Sequence, residues 1–121
     1  MRQLGQLEAA VMQHLWSAGE PVSVREMLDT LTQERPLAYT TVMTVMDNLH
    51  SKGLVVREKQ GKAYLYTPTT SREEHTAGVL QEVLADSDDR TAALMHLVGR
   101  MDPSEAADLL AALSERVDGA S

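Results

Sequence analysis

At Gly53 the apolar period of this chain changes from helical to strand-like, and a helix that runs straight into a hairpin leaves few small folds open. In the stretch AYTTVMTVMDNLHSKGLV, Ala38 to Val55, apolar residues recur every three to four positions as Val42, Val45 or Met46, and Leu49. Lys52 and Gly53 supply a last-turn cation and a glycine stop, so the stretch predicts one amphipathic helix. From Leu54 to Thr67 the residues take on strand character, with Val55, Val56, Tyr64 and Tyr66 flanking Gln60-Gly61 as a tight hairpin turn.

Two more helices precede this pair. Leu4, Leu7, Val11, Met12, Leu15 and Trp16 keep a helical period until Gly19-Glu20-Pro21 breaks it. Ser23-Val24-Arg25-Glu26 has the form of a capping box ahead of Val24, Met27, Leu28 and Leu31, and Pro36 closes the connection. Trp16 is read as core, or as packing beneath the hairpin.

Threonine forms helices poorly, yet Thr40, Thr41 and Thr44 fill the outer face of the third helix. In a helix-turn-helix the second helix of the pair enters the major groove with its N-terminal residues against base edges. Thr40 and Thr41 would lie in the first turn, where free amides and the positive dipole end attract phosphate. Thr44, one turn on, can offer a hydroxyl or methyl to a base, and Asn48 can pair with adenine. The plainer reading is a solvated threonine face and an ordinary asparagine.

Charge separates these readings. The chain carries a net charge of -7 with a pI near 4.9, which at first argues against a phosphate-bearing partner. Residues 1–70, however, hold seven basic and seven acidic groups, while 71–121 hold four and eleven. Within the first part, Lys52, Arg57, Lys59 and Lys62 follow the threonine helix with Glu58 as the only acid between 50 and 64. A local basic stripe beside the threonine face favours nucleic acid.

Beyond residue 70 the pattern is helical. Ser71-Arg72-Glu73-Glu74 is a second capping box, leading into Ala77, Leu80, Val83 and Leu84. Asp88-Asp89 opens a segment with Ala93, Leu94, Leu97, Val98 and Met101, and Asp102-Pro103-Ser104-Glu105 one with Ala106, Leu109, Leu110, Leu113 and Val117, before a frayed end at Asp118-Gly119-Ala120-Ser121. Three short helices enclose little core by themselves, so their stripes are expected to pack on a second copy of the chain through Leu80, Leu84, Leu94, Leu97, Leu109, Leu110 and Leu113. The predicted class is mainly α with a small β-hairpin: a winged helix-turn-helix domain over 1–70, then a helical dimerisation region over 71–121.

Other chemistries find little support. Without cysteine there is no disulfide framework, thiolate metal site or cysteine nucleophile. His14, His50, His75 and His96 are scattered without an HExxH motif, and no GxSxG or P-loop occurs, so neither an enzyme nor a bound metal or cofactor is expected. No apolar run reaches the roughly 20 residues a bilayer needs, and Met1-Arg2-Gln3 leads into an amphipathic helix rather than a signal peptide. A cytoplasmic protein with no direct membrane binding is expected.

Glu8, Val11-Met12, Leu15-Trp16, then Val24-Arg25-Glu26-Met27-Leu28, then Ala38-Tyr39-Thr40-Thr41-Val42-Met43-Thr44-Val45 with Leu49 and Lys52-Gly53-Leu54-Val55, form a pattern that resembles the penicillinase repressor (BlaI/MecI) family of bacterial transcriptional regulators. The resemblance covers the N-terminal region almost end to end. It implies a winged helix, a dimerising tail, a palindromic double-stranded operator of β-lactam resistance genes, and derepression when a membrane-bound metalloprotease sensor triggers cleavage. DNA contacts are expected from Arg25, Tyr39, Thr40, Thr41, Met43, Thr44 and Asn48 on the helices and from Arg57, Lys59 and Lys62 on the hairpin. Many members carry arginine where this sequence has Met43 and Asn48, which leaves the operator sequence open. In relatives the cut falls in the middle tail helix at an Asn-Phe pair; here Ala93-Leu94-Met95-His96-Leu97 has neither residue. Either a different pair at Leu94, Met95 and His96 is cut, or another signal acts. A winged-helix adaptor that binds protein rather than DNA is the alternative, and would not need a basic wing.

Overall fold

Every helix expected from periodicity forms, and most begin or end on the residues that cap them. The computed structural model describes residues 4–120, so the expected lead-in at Met1-Arg2-Gln3, and Ser121, lie outside the described residues. In chain order the elements are α1 Gln6–Ala18, β1 Val22–Ser23, α2 Val24–Leu31, α3 Tyr39–Ser51, β2 Val55–Gln60, β3 Ala63–Pro68, α4 Arg72–Ala85, α5 Arg90–Gly99 and α6 Pro103–Ala120. They divide into two compact units, one up to Leu80 and one from Gln81 on.

Local chemistry sets the boundaries in the first unit. α1 stops at Gly19, whose φ of 68° lies in the left-handed region open to glycine. The capping box of α2 is closed in both directions: Ser23 Oγ accepts from the Glu26 amide at 3.1 Å, and the Ser23 amide donates to Glu26 Oε1 at 3.1 Å. α3 ends in a Schellman motif, with the Gly53 amide donating to His50 O and the Leu54 amide to Leu49 O, both at 3.0 Å.

The sheet corrects two expectations. It has three antiparallel strands in the order β1-β3-β2 rather than a hairpin alone, because Val22 and Ser23 pair with Tyr66 and Leu65. Two residues carry no alternation for a sequence pattern to register. The hairpin loop is Gly61-Lys62, one residue later than Gln60-Gly61, since Gln60 is still paired with Ala63. Gly61, with φ of 65°, takes the first loop position, where a two-residue hairpin of the II′ class calls for glycine.

The core of this unit lies where the three helices meet the sheet. Val11, Met12 and Leu15 of α1, Met27 and Leu31 of α2, and Val42, Met46 and Leu49 of α3 close over Val55 and Tyr66. Trp16 is half-buried and packs against this core as expected, and it also meets the chain entering α4. Its Nε1 donates to Thr70 O at 2.9 Å, and the Arg72 guanidinium and His75 ring lie 5.7 and 5.4 Å from its ring.

The helical tail is capped as expected. Ser71 and Glu74 close the box at the start of α4, Asp89 accepts from the Ala92 amide at 3.1 Å, and Pro103 takes the first position of α6 behind Asp102. α6 runs on through Ala120, so Asp118 to Ala120 continue the helix instead of fraying. Among the described residues none in α4 or α5 is buried.

Candidate nucleic-acid interface

The buried and exposed faces of α3 separate cleanly. At about 100° per residue, Val42, Met46 and Leu49 fall together on the buried side, with Val45 partly buried beside them. Opposite them, Thr40, Thr44, Asp47 and Ser51 follow one another at helical spacing in a single exposed stripe. Thr41 and Asn48 flank it on one side and Met43 on the other, all exposed. The Ala38 carbonyl accepts from the Thr41 and Val42 amides, so the amides of Tyr39 and Thr40 precede the first intrahelical bonds of α3.

The start of α2 joins this face. The Arg25 guanidinium lies 5.2 Å from the centre of the Tyr39 ring, which brings a cation from the first turn of α2 over the first residue of α3. Both side chains are exposed.

On the wing, the basic stripe divides into two kinds. Lys52 Nζ is 2.7 Å from Glu8 Oε2, tying the end of α3 to α1, and this bond holds the Glu8 carboxyl below its ordinary value. Arg57 Nη1 is 2.7 Å from Asp47 Oδ1, and the same guanidinium lies 4.4 Å from the Tyr64 ring centre. The Tyr66 hydroxyl first, then the Asp47 carboxylate, favour its charged form further. Lys59 on β2 and Lys62 in the loop are exposed and form no ion pair among the described residues. Of the four expected cations, then, two brace the fold and two remain open to an outside partner.

The sequence reading missed Asp47. Its position seven residues after Thr40 and three after Thr44 places it on the threonine face, and helical spacing alone could have found it.

The residues expected at a dimer contact lie on helical stripes with little cover. Leu80, Leu94, Leu97, Leu110 and Leu113 are exposed, while Leu84 and Leu109 are partly covered. Leu94, Met95 and His96 all lie inside α5 and are exposed, Met95 to 69% and Leu94 to 42%. Among the described residues no group of acidic, histidine or cysteine side chains is placed to hold a metal ion, and no helix is long and apolar enough to cross a membrane.

Residues 4–115 match the family described as penicillinase repressor. The transcriptional regulator BlaI of Mycobacterium tuberculosis is 45% identical over 118 residues, which cover 95% of this chain and 86% of that protein. Among solved structures, the DNA-binding domain of the repressor BlaI superposes with a TM-score of 0.53 at 23% identity, covering 61% of this chain and 93% of that one. The monomeric form of Bacillus licheniformis BlaI in complex with the blaP half-operator gives 0.50 at 24% identity, covering 60% and 87%. These structures share the winged-helix fold of the first unit.

Proposed function

Because the chain belongs to the penicillinase repressor family and is a transcriptional repressor with a DNA-binding winged helix, not an enzyme, we propose that it binds a palindromic double-stranded operator as a homodimer. The observation that carries this reading is the exposed stripe of Thr40 and Thr44 on α3, set beside a wing with two unpaired lysines. Small hydroxyl side chains let the helix approach base edges closely, and Thr41, Thr44 and Asn48 would read them. Met43 adds an apolar contact on one flank. Arg25, Lys59 and Lys62 attract the phosphate backbone, and Arg57 holds the wing beside the helix. The adaptor alternative would leave Lys59 and Lys62 without a role.

The solved relative bound to a half-operator is monomeric, and a half-site is what one winged helix spans. High affinity then calls for a second copy. The exposed leucines of 71–121 would supply that contact, Leu110 and Leu113 foremost. Release would follow a cut between Leu94 and Leu97 by a membrane-bound metalloprotease sensor that answers a β-lactam. α5 must open locally before a protease can take it as an extended strand. Gel-shift of genomic fragments by the full chain tests the reading. One or a few promoters retained above competitor DNA are expected, and equal retention of every fragment would refute operator recognition.

A further inference from the structure

Asp47 is out of place on a surface that meets phosphate. It exposes 62% of its side chain in the same stripe as Thr40 and Thr44, where a bare carboxylate would repel DNA. Its charge is compensated in a specific way. Oδ1 accepts from Arg57 Nη1 at 2.7 Å, while Oδ2 has no hydrogen-bond partner among the described residues. Arg57 is itself fixed from the wing side, with the Tyr64 ring 4.4 Å beneath it and the buried Tyr66 across the strand pair. The carboxylate is thus steadied from a second element, and one oxygen stays free to accept.

In the major groove a carboxylate accepts well from one base edge. Cytosine presents its N4 amino group as a donor, whereas guanine and thymine present acceptors and adenine sets an N7 acceptor beside its amino donor. From the exposed oxygen, the compensated charge and the place beside Thr44, we infer that Asp47 is a specificity-determining residue that selects cytosine in each half-site, with Arg57 as its positioning residue. This rests on the reading above that α3 lies in the groove. Arg57 keeps the carboxylate from repelling the backbone and sets its rotamer, so the wing takes part in base selection without touching a base.

The test is selection from a randomised duplex pool by the full-length chain, compared with Asp47→Asn and Asp47→Ala, after thermal melts show all three folded. The wild-type chain should enrich cytosine at one position per half-site by about 5- to 150-fold. Asp47→Ala should abolish that preference and leave the other positions as they were, and Asp47→Asn should shift it toward adenine, whose N6 and N7 suit a carboxamide. Both variants should also bind random DNA more tightly, with a salt slope steeper by up to about one unit, because Arg57 becomes free for a phosphate. A defined motif that neither variant alters at any position would overturn the role of Asp47 and leave groove binding intact. Uniform weakening at every position, the mark of a structural role, would overturn it as well. An unselective result from the wild-type chain would instead sink the groove reading, and the Asp47 proposal with it.

Discussion

The winged-helix part of this chain and the helices that follow it use the same kind of amphipathic helix to opposite effect. In the first, the apolar faces of α1, α2 and α3 converge on a sheet, and all the buried hydrophobic residues of the described chain lie between Val11 and Tyr66. In the tail, α4 to α6 carry stripes as apolar, yet Leu80, Val83, Leu94, Met95, Leu97, Val98, Leu110, Leu113 and Val117 remain exposed. The difference is one of layers. Three helices over a sheet have enough opposing surfaces to enclose side chains, whereas α4 to α6 have no sheet to close against. An amphipathic stripe therefore does not say by itself whether it will be buried, since that depends on the layers around it.

Substitutions that act on one unit alone sharpen this contrast. The largest effect should come from the tail. Leu110→Glu with Leu113→Glu keeps good helix formers on α6, so the melting of the chain at low concentration should hardly change. The same pair should lower operator affinity by about 10²- to 10⁴-fold if two half-sites are engaged together, because the second contact loses its effective concentration. Sedimentation would show the chain shifted to monomer. A variant that stays dimeric and binds as before would break the contrast.

In the winged-helix unit the same chemistry should behave differently. Leu49 is fully buried at the crossing of α3 with the core, and Leu49→Ala should cost about 2 to 5 kcal/mol in denaturant unfolding whatever the protein concentration. A loss under 1 kcal/mol would mean that this core is looser than its burial indicates.

The smallest effect belongs to the ion pair between α1 and the end of α3. The Glu8 carboxyl sits below its ordinary value of 4.5, chiefly through its bond from Lys52. A depressed folded value means that the contribution is fully present above the unfolded value and is lost as pH falls through the folded one. Lys52 is half exposed, so solvent screening holds the pair to about 0 to 1 kcal/mol. Stability profiles of the wild-type and Lys52→Met chains should therefore run apart above pH 4.5 and converge in acid. Profiles that stay parallel into acid would deny the pair any role.

Much of this architecture was legible in the sequence because helix signals are local. The boxes at Ser23-Glu26 and Ser71-Glu74 and the stop at Gly53 involve residues a few positions apart, and each formed as the sequence implies. What was not legible depends on distant partners. β1 is a strand only because β3 comes to lie beside it, and the loop falls at Gly61-Lys62 because strand register fixes it. Arg57 and Lys52 read as members of one basic stripe, yet Asp47 on α3 and Glu8 on α1 engage them across the fold. A count of charges along the chain cannot tell a brace from an open cation.

The most direct test of the account separates the helix from the wing on a single operator. Affinity for that operator and for random DNA is measured across a range of salt for the wild-type, Thr44→Ala and Lys62→Ala chains. Thr44→Ala should lower operator binding by about 1 to 3 kcal/mol, leaving random binding and the salt slope unchanged. Lys62→Ala should weaken both DNAs alike and flatten the slope by about one unit. That crossed pattern is what base reading by α3 and phosphate contact by the wing require, and two variants that alter specific and random binding in the same proportion would contradict it.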